Sequence, residues 1–391
     1  MKGGRHFFAT CAKGAEGLLR DELLALGLRG VKGERGGARF TLTLEDGLRA
    51  TLRTRIAERV LLEIGRGPAG SAEELYESAR AIEWEEEMTV KRTFAVRATG
   101  RAPGLDHSRF IALKVKDAIV DRFRDREGQR PSVETRHPDL QIAVHLRQEE
   151  ATFFLDVAGV PLHRRGWRRE KGEAPLKETL AAALLAWDGL DAERPLVDPL
   201  CGSGTIVIEA AQILSGRPPG VGRPFSATRW VSSGRTAQSV LDRMLAEVEK
   251  QAPPDLPRII GRDHDGKVLE VARRNAERAG VLPLIDFQRA DARRLGDLPA
   301  DARLVTNPPY GQRLGKARLQ LEGFVRTFGE AWAAASDPPP PLTVMAGMHG
   351  FAKHFGARAH RRHTLFNGPL ECLLLHFGPP ALRARPGAEE A

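Results

Sequence analysis

The chain has 391 residues, a formal net charge of +9 and 41% apolar side chains, so it is long enough for two or three domains with sizeable cores. No apolar run reaches the length of a membrane span, and no signal-type stretch follows the N-terminus. Three well-separated cysteines without a CxxC pair support neither a disulfide framework nor a zinc site. We therefore expect a cytoplasmic protein, without a metal or a membrane partner.

The positive charge favours a polyanionic partner and leans toward the N-terminal part of the chain. Residues 1–171 carry 32 Lys and Arg against 26 Asp and Glu, and residues 172–391 carry 28 against 25. A basic protein without such a partner remains the alternative.

Residues 1–60 predict a small α+β unit, from hydrophobic patterns of alternating period. Its expected elements are a strand at His6–Thr10, a helix at 16–26 that ends at Gly27, a strand at Ala38–Thr43 and a helix at 46–55. Residues 61–165 predict a second α+β module. Its expected elements are strands at Arg59–Arg66, Thr93–Thr99, 141–147 and 152–158, and helices at 71–81 and 108–124.

A basic segment with a central tryptophan, Leu162–Lys171, follows these modules. It could track a phosphate backbone while Trp167 stacks on a base, or it could be a solvated linker with an anchoring Trp. The pattern leaves both interpretations open.

From Pro175 onward, helices alternate with short apolar strands and glycine loops, which is typical of an α/β fold with a parallel sheet. We place this Rossmann-like domain at residues 166–378. The residues 379–391 are rich in Pro, Gly and charge, and we expect a disordered tail there.

One glycine turn joins a predicted strand to a predicted helix within Leu196–Ala211. Gly202 and Gly204 would let the backbone approach a ligand, and Ser203 and Thr205 suit the first helical turn. No Lys follows the glycines, so phosphate binding is disfavoured. Asp198, which leads into the loop, suits the ammonium of an amino-acid ligand. The alternative is a purely structural turn.

Acidic residues follow the next two predicted strands. Asp263, with His264 beside it, follows the strand at 258–261 and could accept both hydroxyls of a ribose. We expect Asp265 to cap the following helix. Asp291 follows a third strand, at 284–288, and could accept from an adenine amine. Together these residues predict a nucleoside site at one edge of the sheet.

A fourth strand, at 302–306, ends in Asn307–Tyr310, which reads Asn-Pro-Pro-Tyr. The two prolines stop the strand and stiffen the turn. A base amine could donate to the Asn307 amide oxygen and the Pro308 carbonyl while its ring stacks on Tyr310. This favours methylation of the exocyclic amine of an unstacked base, although a plain exit from a strand into a loop has the same composition.

Several longer motifs carry a family resemblance. They read F-F-A-T-C-x-K-G-x-E-x-L-L at Phe7–Leu19, H-S-R-F-I-A-L-K-V-K-D-A-I-V-D at His107–Asp121, L-H-R-R-G-W-R at Leu162–Arg168, A-P-L-K-E-T-L-A-A-A-L-L at Ala174–Leu185, D-P-L-C-G-S-G-T from Asp198, and N-P-P-Y-G-Q-R-L-G at Asn307–Gly315. The chain resembles the bacterial THUMP-domain RNA guanine-N2 methyltransferases. Within that family it is most similar to the N-terminal methyltransferase half of the two-enzyme large-subunit rRNA proteins.

The resemblance implies a ferredoxin-like unit, a THUMP module that docks RNA and a class I methyltransferase domain that uses S-adenosylmethionine. It implies that Lys177, Glu178 and Thr179 close over the methionine end of this cofactor, and that Ala292 joins Asp291 at its adenine. Asp198 and the glycine loop would contact the methionine part, Asp263 the ribose, and Asn307, Pro308 and Tyr310 the base.

The sequence departs from the two-enzyme proteins in one respect, because no second methyltransferase domain follows the first before residue 391. We therefore expect a single product. We also expect a monomer. Methylation of guanine N2 in large-subunit rRNA is the leading hypothesis, with tRNA as the alternative substrate. A DNA adenine methyltransferase, or an RNA-binding assembly factor with an inert methyltransferase fold, would share some of these motifs.

Overall fold

The computed structural model describes residues 4–169, 176–249, 255–309 and 316–378, and the chain divides into two units. The first unit is built from the described residues of Met1–Cys11, Leu19–Leu162 and Gly220–Gln251. The second is built from those of Ala12–Leu18, His163–Pro219 and Ala252–Ala391. The tail expected at 379–391 lies outside the described residues, so its disorder stays a prediction.

The N-terminal elements alternate between strands and helices. They are β1 (Arg5–Thr10), α1 (Glu16–Ala25), β2 (Lys32–Glu34), β3 (Gly37–Leu42), α2 (Leu44–Arg53), β4 (Arg59–Pro68), α3 (Ala72–Ala81), β5 (Thr93–Arg101), α4 (Ser108–Glu127), β6 (Ser132–Val133), β7 (Leu140–Arg147) and β8 (Glu150–Asp156). Every element predicted in this part is confirmed to within three residues at each end, and β2 and β6 were not predicted.

Local sequence explains several of these boundaries. Thr43 begins α2 with a capping box, in which its hydroxyl accepts from the Asp46 amide and the Asp46 carboxylate accepts from the Thr43 amide. Ser71 caps α3 in the same position. Gly128 ends α4 in the left-handed conformation, at φ 67°.

The eight strands form one sheet in the order β2-β3-β1-β4-β8-β7-β5-β6. Strand β5 pairs in parallel with β6 and β7, and the other neighbours are antiparallel. Strand β4 joins the two predicted modules, because it pairs with β1 on one side and β8 on the other. The boundary drawn at residues 60 and 61 therefore runs through a strand of a shared sheet.

The remaining elements follow the α/β pattern. They are α5 (Glu178–Asp188), β9 (Leu196–Asp198), α6 (Thr205–Leu214), α7 (Gly234–Glu249), β10 (Ile259–Asp263), α8 (Gly266–Arg278), β11 (Ile285–Arg289), β12 (Arg303–Thr306), α9 (Lys316–Ala333), β13 (Leu342–Ala346), α10 (Phe351–Phe355), β14 (Arg361–Asn367) and β15 (Leu370–Phe377). The predicted strands at 258–261, 284–288 and 302–306 are confirmed within two residues at each end.

The second unit holds a seven-stranded sheet in the order β11-β10-β9-β12-β13-β15-β14. The first five of these strands are parallel, and β15 runs antiparallel to β13 and β14. The chain moves from β9 outward to β10 and β11 and then returns to β12 on the other side of β9. This reversal is the switch point at which doubly wound sheets bind ligands.

Helix α7 belongs to the first unit, although its sequence lies inside the region predicted as the methyltransferase domain. The Gly220 amide donates to the Leu52 carbonyl at 3.0 Å, and Arg243 of α7 pairs with Glu45 of α2 at 2.7 Å. The segment Gly220–Gln251, which includes α7, thus contributes to the packing around α2. Among the described helices, none is both long enough and apolar enough to cross a membrane.

Candidate active site at the strand ends

The carboxyl ends of β9, β10 and β12 meet in the second unit and bring three predicted residues together. Asp198 lies in register with Gly261 of β10. The Thr306 hydroxyl, next to Asn307, donates to Asp198 Oδ1 at 2.7 Å. The Gly202 amide donates to Asp263 Oδ2 at 3.0 Å. The predicted clustering of Asp198, the glycine loop, Asp263 and Asn307 is therefore present in the fold.

Asp198 is a buried carboxyl, with 1% of its surface exposed. Burial raises its pKa to about 7, and the nearby Asp263 carboxylate adds to this, although bonds from Thr306 and the Leu200 amide oppose the shift. A buried carboxylate is stable when a cation accompanies it. This carboxyl is thus suited to receive an ammonium group.

The glycine loop turns through left-handed backbone at Gly202 (φ 55°) and Gly204 (φ 87°). A Cβ added at Gly202 would meet no atom within 4 Å, so the space beside this residue is open. The Ser203 carbonyl accepts from the Asn275 side chain at 3.1 Å, which ties the loop to α8. Thr205 begins α6 and is buried. The loop is held firmly and keeps open space at Gly202.

Asp263 ends β10 and is fixed by backbone donors. Its Oδ2 accepts from Gly202, and its Oδ1 accepts from the Asp265 amide at 3.0 Å. The exposed ring of His264 lies 3.2 Å from Oδ1. Asp265 accepts from the Lys267 amide and caps α8, as predicted. The carboxylate of Asp263 is therefore oriented by the chain around it.

Asp291 lies near this edge but is already engaged. The Ala290 amide donates to the Asp263 carbonyl at 3.0 Å, which sets the path into Asp291. Arg293 Nη2 donates to Asp291 Oδ2 at 2.6 Å and lowers the pKa of Asp291 to about 2. An adenine amine would have to share this carboxylate with a guanidinium. Ala292 is buried in the core of the second unit.

Asn307 follows β12, and its amide oxygen is buried without a hydrogen-bond partner among the described residues. A buried acceptor without a hydrogen-bond partner costs about 1–3 kcal/mol of stability. Such a group is therefore suited to accept a hydrogen bond from a ligand. Pro308 is buried and Pro309 is exposed. Tyr310, predicted to stack on the base, lies outside the described residues.

The start of α5 carries the other predicted cofactor residues. Lys177 is the N-cap of this helix, and Glu178 and Thr179 form its first turn. The Thr179 hydroxyl is buried without a partner in the described part of the chain, which makes it a second unsatisfied group. Burial raises the pKa of Glu178, although Arg168 opposes this shift.

Arg168 is a site residue that the sequence analysis did not single out. Its Nε donates to Glu178 Oε1 at 2.9 Å, and its Nη2 donates to Thr205 Oγ1 at 2.7 Å. It therefore joins the start of α5 to the start of α6. The sequence signal that could have identified Arg168 is the presence of acidic residues within apolar helices, such as Glu178 and Glu209. A buried acid requires a cation, so each of them predicts a basic partner.

The basic segment is consequently not a base-stacking surface. Trp167 is only 3% exposed, and Arg165 pairs with Glu209 at 3.1 Å between side chains that are 1% and 0% exposed. The stacking interpretation of Trp167 is wrong in this structure. The segment is partly solvated, because Arg164, Gly166 and Arg169 are exposed. The interpretation of Trp167 as an anchor is correct, because its side chain is buried. The neighbouring Arg165 and Arg168 form internal ion pairs with Glu209 and Glu178.

Among the described residues, no group of three or more His, Cys, Asp or Glu side chains could hold a metal ion. The site therefore presents carboxylates, amide oxygens and open backbone in an arrangement that suits a nucleoside with an amino-acid arm. An acceptor for a base amine adjoins it.

Family models match three successive parts of the chain. A model described as "RMKL-like, methyltransferase domain" matches residues 165–376, which is more than half of the chain. The chain belongs to this family. The THUMP domain model matches residues 69–156, and the RlmL ferredoxin-like domain model matches residues 6–61. The expected fold class, a class I methyltransferase domain preceded by ferredoxin-like and THUMP modules, is confirmed.

Curated relatives of this RMKL-like chain carry the name ribosomal RNA large subunit methyltransferase K/L. The protein from Syntrophotalea carbinolica is 43% identical over 95% of this chain and 53% of its own length. The protein from Allochromatium vinosum is 38% identical over 95% of this chain and 51% of its own length. The chain thus spans about half the length of the curated relatives it matches.

Solved structures resemble the whole chain. SMU.472, described as a candidate methyltransferase and complexed with SAH, matches with a TM-score of 0.84 and 28% identity over 98% of this chain and all of that chain. A candidate methylase from Clostridium difficile 630 matches with a TM-score of 0.84 and 29% identity over 97% of this chain and 99% of its own.

A third structure is named for different chemistry. It is a predicted N6-adenine-specific DNA methylase from Listeria monocytogenes, with a TM-score of 0.81 and 29% identity over 97% of each chain. The neighbours therefore share the fold across both units, and of these three names only the third states a substrate.

Proposed function

We propose that this chain is an S-adenosylmethionine-dependent methyltransferase that acts on the N2 amine of a guanosine in large-subunit rRNA. The observation that carries the proposal is the amide oxygen of Asn307, which is buried without a partner among the described residues and directly follows Thr306, the residue that bonds to Asp198. The names of the curated relatives support rRNA as the substrate.

S-adenosylmethionine supplies a methyl group on a sulfonium centre. Asp198 would hold its ammonium, the backbone at Gly202 its methionine part, and Asp263 with His264 its ribose. Asp291 and Ala292 would border the adenine, and Lys177, Glu178 and Thr179 would cover the methionine end. The unsatisfied hydroxyl of Thr179 and the raised pKa of Asp198 fit such a ligand, because both groups lack a partner of the right kind within the described protein.

Asn307 would act on the base. A guanine N2 amine that donates to Asn307 Oδ1 and to the Pro308 carbonyl is held in one orientation, with its lone pair directed along the line of transfer. These two dipoles stabilise the positive charge that develops on nitrogen. The nitrogen proton can pass to solvent after alkylation, so no strong base is required. Tyr310 remains the proposed stacking partner.

Labelled methyl transfer tests the proposal directly. The protein is incubated with methyl-labelled S-adenosylmethionine and either rRNA or tRNA, and the labelled RNA is digested to nucleosides. We expect N2-methylguanosine from rRNA. Label in tRNA alone would favour the alternative RNA, and label only in N6-methyladenosine would contradict the guanine assignment.

Adenine N6 is a second candidate, because the name of the Listeria monocytogenes neighbour favours it and Asn-Pro-Pro-Tyr does not separate the two amines. Adding DNA as a third substrate in the same assay tests this candidate.

Asn307→Ala separates an active enzyme from an RNA-binding factor with an inert fold. We expect transfer to fall by about 10²–10³-fold, the usual loss on removing a donor or acceptor that stabilises transition-state charge. Asn307→Asp retains an acceptor and should keep more activity. RNA affinity, measured by anisotropy, should stay near that of the parent protein. A fully active Asn307→Ala variant would overturn the site.

A further inference from the structure

Thr306, the last residue of β12, carries a fully buried hydroxyl at the edge where the strands end. Its Oγ1 donates to Asp198 Oδ1 at 2.7 Å, and the next residue in the chain is Asn307. The bond spans the switch point, because β12 and β9 are neighbouring parallel strands with Leu304 in register with Val197. One hydrogen bond therefore joins the candidate ammonium acceptor to the residue that precedes the candidate base acceptor.

The two carboxyl oxygens of Asp198 have different surroundings. Oδ1 accepts from the Thr306 hydroxyl and from the Leu200 amide at 3.1 Å, whereas no described residue donates to Oδ2. Two donors on one oxygen fix the orientation of a carboxylate and leave its other oxygen for a ligand. Thr306 therefore helps to decide that Oδ2 is the oxygen available to a cationic ligand.

The Thr306 hydroxyl also favours the charged form of Asp198. Burial raises the pKa of this carboxyl to about 7, and the bond from Thr306 is the strongest of the effects that oppose the shift. A donor to the ionised form stabilises that form. The titratable groups that act on Asp198 in the described structure are Asp263 of β10 and the Cys201 thiol, and neither is a cation. Within the described protein, the stabilisation of this carboxylate thus depends on neutral donors, chiefly Thr306.

We propose that Thr306 is a positioning residue for methyl transfer. Its hydroxyl stabilises the Asp198 carboxylate that receives the cofactor ammonium, and it ties this carboxylate to the strand end that carries Asn307. The proposal rests on the proposed function in giving Asp198 and Asn307 their roles. It adds that the cofactor site and the base site share one buried hydrogen bond.

The shared bond predicts an order of binding. Near neutral pH, part of the Asp198 population is protonated, and a neutral carboxyl accepts a hydrogen bond less strongly than a carboxylate does. Asp198 becomes ionised when an ammonium ligand lies beside it, so its bond with Thr306 is strengthened. The end of β12 is then held more firmly, directly before Asn307. We expect the cofactor to bind before the base.

Calorimetric titration of the full chain with S-adenosylhomocysteine tests the role of Thr306. Thr306→Val has nearly the same shape but no donor, so the pH midpoint of binding should rise by about one unit. The affinity should then be about eightfold below that of the parent protein at pH 6.5 and within about twofold of it at pH 8.5. Titration of the ligand's own ammonium cancels, because the two proteins are compared at the same pH.

Matched variants separate the hydroxyl from its surroundings. Thr306→Ser keeps the donor and should show the pH dependence of the parent protein. Thr306→Cys carries a weak donor and should give an intermediate shift, which keeps the test available if Thr306→Val does not fold. The control Thr343→Val removes an equally buried hydroxyl of β13 that bonds to Asp188, and it should leave the pH dependence of binding unchanged.

Methyl transfer gives a second readout. At pH 8.5 with saturating S-adenosylmethionine, Thr306→Val should lower kcat about tenfold or more, because the strand end before Asn307 loses the bond that anchors it. The KM for S-adenosylmethionine should stay within about twofold of the parent value. Thr306→Ser should recover most of kcat.

The outcomes distinguish the two proposals. A Thr306→Val affinity that equals the parent affinity at pH 6.5, or that is reduced by the same factor at every pH, would overturn the role of Thr306. If the parent protein transfers no methyl to any RNA, the proposed function fails, while the titrations with S-adenosylhomocysteine still decide whether Thr306 supports Asp198.

Discussion

Asp198 illustrates how a single residue can be anticipated from sequence and where that anticipation ends. The sequence predicted that Asp198 lies near Asp263, because the carboxyl ends of parallel strands meet at one edge of a sheet. Its pKa did not follow, since that depends on complete burial by distant parts of the chain. The pairing of Arg293 with Asp291 and the burial of Trp167 could not be predicted from the sequence either. Each depends on a side-chain conformation that is set only in the folded protein.

The raised pKa of Asp198 predicts pH-dependent ligand binding. With a pKa of about 7, only about a tenth of this carboxyl is ionised at pH 6, so the affinity for S-adenosylhomocysteine should fall about tenfold between pH 8 and pH 6. Calorimetric titration measures this. Asp198→Asn should bind weakly with no such slope, whereas Asp286→Asn, at an exposed carboxylate, should behave as the parent does.

The same shift affects stability with a defined sign. An unfolded Asp ionises near pH 3.8, whereas the folded Asp198 keeps its proton to about pH 7, so unfolding releases a proton between these values. The contribution of Asp198 to the free energy of unfolding is therefore fully present below pH 3.8 and falls by up to about 1.4 kcal/mol per unit as the pH rises toward 7. A ligand-free protein whose Asp198→Asn variant shows the same pH slope would contradict the assignment.

At the scale of elements, local sequence patterns predicted well which helices and strands exist and where they end. They did not predict which side chains of these elements pair with one another. The capping residues Thr43 and Ser71 and the turn at Gly128 explain why several ends were correct. The internal ion pairs of α5 and α6 were missed, because Arg168 and Arg165 reach helices that lie further along the chain. These contacts could not be predicted because the paired residues are separated in the sequence, and not because the helices have weak propensities.

Glu209→Gln tests the ion pair that anchors α6. It leaves the Arg165 guanidinium buried with its carboxylate partner removed, so we expect a loss of about 3–5 kcal/mol in the free energy of unfolding. Chemical denaturation followed by circular dichroism measures the change.

The control Glu270→Gln breaks the exposed pair with Arg273 and should cost less than about 1 kcal/mol. Replacement of both buried partners, as Arg165→Met/Glu209→Leu, should cost less than Glu209→Gln alone, because no charge is left buried. A double variant that is the least stable of the three would argue against this electrostatic account.

At the scale of the whole molecule, the sequence indicated three modules, and the structure has two units. The difference has a clear origin, since pairing of β1 with β4 and packing of α7 near α2 are non-local contacts that no local period encodes. The family models divide the chain at residues 61 and 69, and this division describes its sequence motifs rather than its cores. Because the sheet is shared, we expect the first unit to unfold as one cooperative body.

Phe7→Ala tests that cooperativity. Phe7 is buried on β1 and stacks on Phe40 with 5.2 Å between the ring centroids, so truncation should cost about 3–5 kcal/mol. Hydrogen exchange should then accelerate in β7 and β8 as well as in β1 and β3. Phe110→Ala, at a side chain that is 47% exposed, should leave exchange unchanged. Acceleration confined to residues 5–42 would contradict a single cooperative sheet.

The position of α7 has a consequence for synthesis on the ribosome. The first unit cannot be completed when β8 emerges, because one of its helices ends at Glu249 and the segments for α5, β9 and α6 are made in between. At elongation rates of about 5–20 residues per second, the nascent chain waits roughly 5–20 seconds for that helix. During this interval the surface of α2 lacks its final cover. Chaperone occupancy of nascent chains should therefore peak before α7 leaves the exit tunnel and fall after it.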